Sequence, residues 1–424
     1  MVATAKNWIE ESPVAAEPPA PMPRIMYVAY PSSLTLRSAN AVQTYATVAA
    51  LRARAPNSTV VIPRFAFRPS AFSVLGATHL VRLPFNAGRH IVRSVCWSYL
   101  ERTWFAFRVL AHIACEQLRR RQPDVVYVRD IVCAVWLALV LPRLGTAVIF
   151  EMHDREATNP SANSGPVARW LARRFDALAV RHASGIVSLT DAFLPEVRAL
   201  FDSKDCAPLA VIPDAYDDDV FRPQDRTESR ATLTIPNECP VVAYTGLTFA
   251  YHGVDVLVDA CAIVRDQFPE MLLVLVGGRD TERAAMAERA AQHGLSGNIR
   301  IVPPQPPHQI PQYLAAADVL VIPDTVTKTS ASPLKLFEYA AMERPIVAAD
   351  LIALREVIPA DAAQYVSPSN PAALAMGIIA VLTQPNEAAA MAARARRAVE
   401  PHTYTHRASA IVAFCRQVCE AARE

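Results

Sequence analysis

Paired cysteines, a glycine-rich phosphate loop, a charge excess and a membrane-length apolar run are all missing from this chain of 424 residues. Its eight cysteines (Cys96, Cys115, Cys133, Cys206, Cys239, Cys261, Cys415 and Cys419) form no Cys-x-x-Cys pair and show no metal-ligand spacing. That argues against a zinc site or a disulfide framework, and it suits free thiols in a reducing cytoplasm. Cys415 and Cys419 share a helix face, as core residues do. No Gly-x-Gly-x-x-Gly follows the first strand-like segment, which argues against a nicotinamide oxidoreductase. The net charge is +2, so no global field calls for a nucleic-acid partner. The longest apolar run, residues 131–141, is too short to span a bilayer. Residues 1–23 lack the basic start and apolar centre of a signal peptide. They are rich in Ala, Pro and Glu and read as a disordered tail. The chain is therefore expected to be soluble, or to touch a membrane only at its periphery.

Hydrophobic residues make up 52% of the sequence, which excludes a largely disordered protein. The length accommodates two domains of roughly 200 residues each. Strand-like and helical segments alternate, as they do in a parallel sheet covered by helices. Residues 24–30 and 58–63 read as strands around a helix at 41–54, and residues 124–128, 147–151, 185–189 and 211–213 as later strands of that domain. The stretch 217–240 is acidic, then interrupted by Arg and Pro, and reads as a linker. A second set follows: strands at 241–244, 271–276, 298–302 and 319–322, and helices at 254–265, 281–293, 310–316, 371–382 and 387–399. The expected division is a tail (1–23), a first domain (24–216), a linker (217–240), a second domain (241–400) and a closing helix (401–424). Two doubly wound α/β domains would face one another across a cleft, with ligands outside the carboxyl ends of the strands.

Residues 330–350 say most about function. Ser332 is a good helix N-cap, and Pro333 fits the first helical position, where no N–H is needed. Leu334, Phe337 and Ala341 recur at helical spacing, with Glu338 at the border of that stripe. Pro345 ends the helix, and 346–349 read as a buried strand. A helix start behind a Thr/Ser loop is an anion site, and an acid one turn further in can accept hydrogen bonds from a ribose. The plainer alternative is a helix that only packs, with Lys335 and Glu338 as a solvated i,i+3 pair.

The run Ser-Pro-Leu-Lys-Leu-Phe-Glu-Tyr-Ala-Ala, from Ser332, resembles the donor-binding signature of the family-4 (group 1) retaining glycosyltransferases of GT-B fold. Other pieces resemble the family in the same order, from about Arg24 to the C-terminus. They are Asp124-Val-Val-Tyr-Val-Arg-Asp130, Val148-Ile-Phe-Glu-Met-His-Asp154, Val211-Ile-Pro-Asp-Ala-Tyr-Asp217 with Phe221-Arg-Pro223, Tyr244-Thr-Gly-Leu247 with His252-Gly-Val-Asp255, and the stretch leading to Gly278. The resemblance implies that Ser332, Pro333 and Leu334 hold a nucleotide diphosphate and that Glu338 binds the ribose. It implies that Gly246 lets the backbone approach a phosphate, and that His153, at a strand end, approaches the donor sugar to orient and polarise. Gly246 could otherwise merely shape a turn, and His153 merely cap a loop. Some relatives carry a catalytic His near Arg129. Arg129 and Asp130 are expected to point into the same cleft, where Arg129 either binds an acceptor phosphate or pairs with Asp130.

The chain departs from the family pattern in three places. Relatives often carry Arg and Lys where this chain has Leu247 and His252, so Arg279, Lys328 or Lys335 would have to neutralise the diphosphate. The earlier of the family's paired acids is replaced by Ser330, which leaves the donor sugar open. In the first, acceptor-side loop, Ser38, Asn40 and Gln43 stand where relatives often have a Gly-Gly pair, a pattern shared with a subgroup.

Residues 89–121 mix Trp97, Tyr99, Trp104, Phe105 and Phe107 with many arginines. They read either as a helix in the headgroup region of an anionic membrane, or as one that packs its aromatics on the sheet and solvates its arginines. The resemblance implies a cytoplasmic, metal-independent, retaining glycosyltransferase without a cofactor, soluble or peripheral on the inner face of the cell membrane. It would move a hexose from a UDP- or GDP-sugar to a glycan or lipid-linked acceptor in cell-surface polysaccharide synthesis. Two alternatives stay open: a catalytically weak nucleotide-sugar-binding or scaffold protein of the same fold, and a sugar-nucleotide epimerase or hydrolase.

Overall fold

The computed structural model describes residues 22–31, 33–36, 38–64, 70–81, 94–158, 166–201, 207–248, 252–325 and 334–422. The first half runs β1 (Ile25–Val28), α1 (Ala39–Arg54), β2 (Thr59–Arg64), β3 (Thr78–Val81), α2 (Ser94–Leu118), β4 (Val125–Val128), α3 (Ile131–Val140), β5 (Ala147–Met152), α4 (Pro166–His182), β6 (Gly185–Ser188), α5 (Leu194–Arg198) and β7 (Leu209–Val211). These strands form one parallel sheet in the order β3-β2-β1-β4-β5-β6-β7. Strands β1, β4, β5 and β6 are buried along their whole length. That burial on both faces explains their nearly unbroken apolar runs.

The second half runs α6 (Arg226–Leu233), β8 (Val241–Gly246), α7 (Val254–Gln267), β9 (Leu272–Gly277), α8 (Asp280–Gln292), β10 (Ile299–Val302), α9 (Ile310–Ala315), β11 (Val319–Ile322), α10 (Leu334–Ala341), β12 (Ile346–Ala349), α11 (Ile352–Arg355), β13 (Gln364–Val366), α12 (Pro371–Thr383), α13 (Pro385–Val399) and α14 (Tyr404–Ala421). Its sheet, also parallel, has the order β10-β9-β8-β11-β12-β13. Both sheets reverse their strand order once, between β1 and β4 and between β8 and β11. Such switch points open a crevice beyond the strand ends.

One expectation needs correction, and several elements had no expectation at all. The stretch 217–240 is not a plain linker, because it contains α6, whose N-cap Asp225 accepts a 2.7 Å hydrogen bond from the Glu228 N–H. The run 131–141 is mostly α3, sunk in the core beside β4 and β5. Strands β3 and β13 and helix α4 were not anticipated. Two of them, β3 and β13, are short and lie at sheet edges, where the apolar signal is weakest.

The chain passes between the two halves twice. Tyr216 N–H donates to the His402 carbonyl at 3.0 Å, and Tyr404 N–H donates to the Tyr216 carbonyl at 3.3 Å, so the two passages lie side by side. The second passage delivers α14 onto the first half. There Ile411, Cys415 and Val418 share a core with Ile25, Tyr27 and Leu51. Burying each of the aliphatic side chains contributes roughly 1.5–3 kcal/mol. Gly185 makes the close approach feasible, since a Cβ there would stand 2.7 Å from Val418 Cγ2. Among the described residues, no helix is long and apolar enough to cross a membrane.

Candidate active site

On the second half, β8 ends at Gly246 and β9 at Gly277, side by side in register. A Cβ on Gly277 would lie 2.1 Å from the Gly246 carbonyl oxygen, and its φ is +120°. Only glycine permits these two strand ends to run so close. Gly278 follows at φ +76°. Helix α10 is pinned beside them, because the Tyr339 hydroxyl accepts a 2.8 Å hydrogen bond from Thr245 N–H. That contact aims Lys335, one residue into α10, at the same loop. Its Nζ lies 3.0 Å from the Tyr244 hydroxyl, 4.6 Å from the centre of the Tyr244 ring, and 3.8 Å from Asp324. His252 Nδ1 is 2.7 Å from the same carboxylate and 3.3 Å from Lys335 Nζ. Burial alone would raise the Asp324 carboxyl, but Lys335 and the His252 hydrogen bond outweigh it and hold it below the usual range.

Of the three candidate replacement cations, Lys335 stands at Gly246, where a Cβ would meet its Cε at 3.1 Å. Arg279 begins α8 instead, where its N–H donates to Glu282 at 2.9 Å and its side chain is largely exposed. Lys328 lies outside the described residues, as do Ser330, Ser332 and Pro333. Leu334 opens α10 and Leu247 accepts from the Tyr244 hydroxyl. Lys335 and Glu338 do not form a solvated pair. Burial pushes the Glu338 carboxyl up to about 8; Lys335 opposes the rise and Asp214 adds to it.

Asp214 belongs to the first half. Its own carboxyl is raised by burial, against the pull of Arg407, His153 and Arg129. Asp214 thus stands within electrostatic reach of both Glu338 on α10 and His153 just past β5. The halves also touch where Glu356 accepts from the N–H groups of Asp191, at 2.9 Å, and Ala192.

The first half builds its side around Glu151, fully buried near the end of β5. Its Oε1 is hydrogen-bonded to His153 Nε2 at 2.8 Å and ion-paired with Arg129 Nε at 3.0 Å, whose N–H points to His153 Nε2. Its Oε2 accepts from Arg407 Nη2 at 2.6 Å and from the Tyr127 hydroxyl. Burial would raise this carboxyl, yet Arg407, Arg129 and His153 hold it well below its ordinary value. Arg129 also donates to Thr44 Oγ1 at 2.6 Å and to Gln43 Oε1, both on α1. Ser38 caps α1 through the Ala41 N–H at 3.3 Å, and the Asn40 carbonyl accepts from the Thr44 hydroxyl at 2.7 Å. The acceptor-side loop residues therefore start the helix that holds Arg129.

Arg129 and Asp130 do not share a cleft. Arg129 is spent on Glu151, Gln43 and Thr44. Asp130 turns away to cap α3, accepting from the Cys133 N–H at 2.9 Å, and pairs with Arg102 at 3.3 Å. Successive side chains at a strand end point to opposite faces, which separates the two. The acid that faces Arg129 is Glu151. One signal for it was visible: a carboxylate inside an otherwise apolar strand. For Arg407, one of two arginines on a long helix, there was none.

Away from the cleft, α2 turns Tyr99 and Phe105 inward; the Tyr99 hydroxyl donates to Glu156 at 3.0 Å. Its outer face carries Leu100, Trp104, Phe107, Ala111, Ala114 and Leu118, spaced four, three, four, three and four apart and all exposed. Exposed Arg108, Arg119, Arg120 and Arg121 flank that stripe. On α4, exposed Trp170 lies under Arg174 at 5.4 Å. Residues 89–93 lie outside the described residues. Also among the described residues, no group of three or more His, Cys, Asp or Glu is placed to hold a metal ion.

A family model for glycosyl transferases group 1 matches residues 225–398, and one for a glycosyl transferase 4-like domain matches 40–214. The D-inositol 3-phosphate glycosyltransferase of Jonesia denitrificans is 28% identical over 247 residues, 55% of this chain and 57% of the relative. The chain thus spans less than two thirds of the length of the first curated relatives it matches. Among solved structures, the sucrose-phosphate synthase of Thermosynechococcus elongatus superposes with a TM-score of 0.75 at 18% identity, covering 94% of this chain and 100% of that one. Anabaena HepE in complex with UDP and glucose gives 0.70 at 16% identity, covering 93% and 100%. The two facing parallel-sheet halves are those of the GT-B fold.

Proposed function

The chain belongs to the group 1 glycosyltransferases, and from that premise we propose that it moves a hexose from a UDP- or GDP-sugar to a glycan or lipid-linked acceptor, without a metal and with retention of configuration. One observation supports it: Asp214, just past β7 of the first half, lies within electrostatic reach of Glu338 from the second half and of His153 from its own. A donor lying there would touch both sides at once.

Lys335 and His252 sit where a diphosphate's developing charge would need positive partners. Glu338 is neutral below about pH 8, so it can donate one hydrogen bond to a ribose hydroxyl and accept another. With the Nε2 proton directed at Glu151, 2.8 Å away, His153 offers Nδ1 to a sugar hydroxyl. The bond from the anomeric carbon to the phosphate oxygen breaks and one to the acceptor oxygen forms on the same face. The acceptor proton passes to the leaving phosphate, with His153 orienting the hydroxyl. The UDP and glucose held by the Anabaena relative favour UDP-glucose as the first donor to test. The outer stripe of α2 with its arginines favours peripheral contact with an anionic membrane, which suits a lipid-linked acceptor.

The test is to incubate the protein with labelled UDP- and GDP-hexoses and a membrane extract. Label should enter a lipid or glycan fraction. Binding without transfer would favour the scaffold reading, and consumption of donor without acceptor the epimerase or hydrolase.

A further inference from the structure

Glu151 and Arg407 are 256 positions apart, and both side chains are shut off from solvent. Four side chains divide the two oxygens of Glu151. Oε1 serves the cleft side, through His153 and Arg129, and Oε2 serves the interior, through Arg407 and Tyr127. Arg129 is held independently by Gln43 and Thr44. Arg407 is aimed by the carbonyls of Ile212, at 2.7 Å, and Pro213, just before the first passage between the halves.

Arg129 Nη2 and Nε also lie 2.9 and 3.1 Å from His153 Nε2. The Arg129 Nε–H points at that nitrogen, so two positions for the imidazole proton compete. The shortest contact, at 2.8 Å, joins Nε2 to the Glu151 carboxylate, which can only accept, and on that ground we place the proton on Nε2. The ring, 26% exposed, then presents Nδ1 as an acceptor.

We propose that Arg407 is a positioning residue: it locks the Glu151 carboxylate, and Glu151 in turn sets the tautomer and the direction of the His153 ring. The inference rests on the glycosyltransferase reading of His153, but it concerns the last helix of the chain. It makes the docking of α14 part of the active geometry of the opposite sheet. A carboxylate that fixes an imidazole tautomer does not react, yet its loss misplaces the reacting nitrogen.

The experiment uses the full chain with ring-labelled histidine and reads the His153 tautomer by NMR, identified by its absence in His153→Gln. Arg407→Lys keeps the charge and loses the fork. The double variant Glu151→Met with Arg407→Met removes both buried charges together, which spares the fold an unpaired carboxylate. Cys415→Ala hollows the α14 core without touching Glu151. In the wild type, Nε2–H is expected. Both Arg407 variants should mix the tautomers and lower kcat about tenfold or more, with the donor KM changed by no more than about twofold. Cys415→Ala should change neither. An Nδ1–H wild type, Arg407 variants that keep both tautomer and kcat, or an equal loss in Cys415→Ala would overturn the proposal. If the wild type transfers no sugar, the glycosyltransferase reading falls, while the tautomer measurement still decides the role of Arg407.

Discussion

His252 Nδ1 and Asp324 Oδ1 stand 2.7 Å apart, and Lys335 Nζ lies 3.8 Å from the same oxygen. One carboxylate, past the end of β11, thus gathers an imidazole from the loop after β8 and an ammonium from α10. Held this way, they lose little freedom when an anion arrives.

Lys335→Ala should weaken binding of UDP or GDP by about 1.5–3 kcal/mol, the scale of a hydrogen bond to a charged group. The loss should shrink for the nucleoside without phosphates, and at high salt. Calorimetric titration measures it. An equal loss for the nucleoside would remove Lys335 from the phosphate site.

Glu338 links stability to pH with a definite sign. Its carboxyl titrates at about 8 in the fold, against an ordinary 4.5. Between those values the native state keeps a proton that the unfolded chain has released, so stability declines as pH rises from about 4.5 to about 8. Glu338→Gln should therefore stabilise the ligand-free protein at pH 8, by up to a few kcal/mol, and do nothing at pH 4. The same change should weaken nucleotide binding. Melting curves at both pH values, with and without UDP, check the pair of signs; a variant less stable than wild type at pH 8 contradicts it.

His153→Ala should cut turnover by about a hundredfold or more while leaving donor affinity nearly intact. Steady-state kinetics beside direct binding separate the two. Unchanged turnover would take the ring out of the reaction.

Gly253 has φ +59°, and a Cβ there would lie 2.1 Å from the Pro323 carbonyl oxygen. Gly253→Ala should cost about 2 kcal/mol or more, because both the left-handed backbone and the clash must be relieved. It should also weaken nucleotide binding, since His252 precedes it and Asp324 follows Pro323. Denaturant midpoints measure the first effect; a midpoint equal to wild type refutes it.

Trp104→Glu combined with Phe107→Glu should abolish co-sedimentation with anionic vesicles. Both side chains are about half exposed on α2, and Phe107 also packs on Trp136 at 5.3 Å, so the fold should persist with a small drop in melting temperature. Persistent vesicle binding would show that this face is not the membrane contact.

Much of the fold follows from short-range pattern. Apolar runs of four to six residues bounded by turn residues mark β1, β4, β5, β8, β9, β11 and β12. Helix α10 is legible from Leu334, Phe337 and Ala341, and Glu338 from its place on their border. Edge strands β3 and β13 escape because little of them is buried on both faces. Asp130 misleads because a carboxylate beside Arg129 invites pairing, while its side chain is committed to the first turn of α3 and to Arg102.

By itself the amino-acid order settled the buried strands, the loop glycines and the helices other than α3 to α6 and α11, since period, capping and backbone sterics act within a few residues of one another. Which charges meet was decided only by the folded chain. Glu151 finds Arg407, Lys335 finds Asp324, and Glu338 falls within electrostatic reach of a second acid, Asp214, because two sheets and a returning helix bring distant strand ends together. In that dry interior a charge must find a partner or lose its ionisation, and local sequence cannot say which partner will be there.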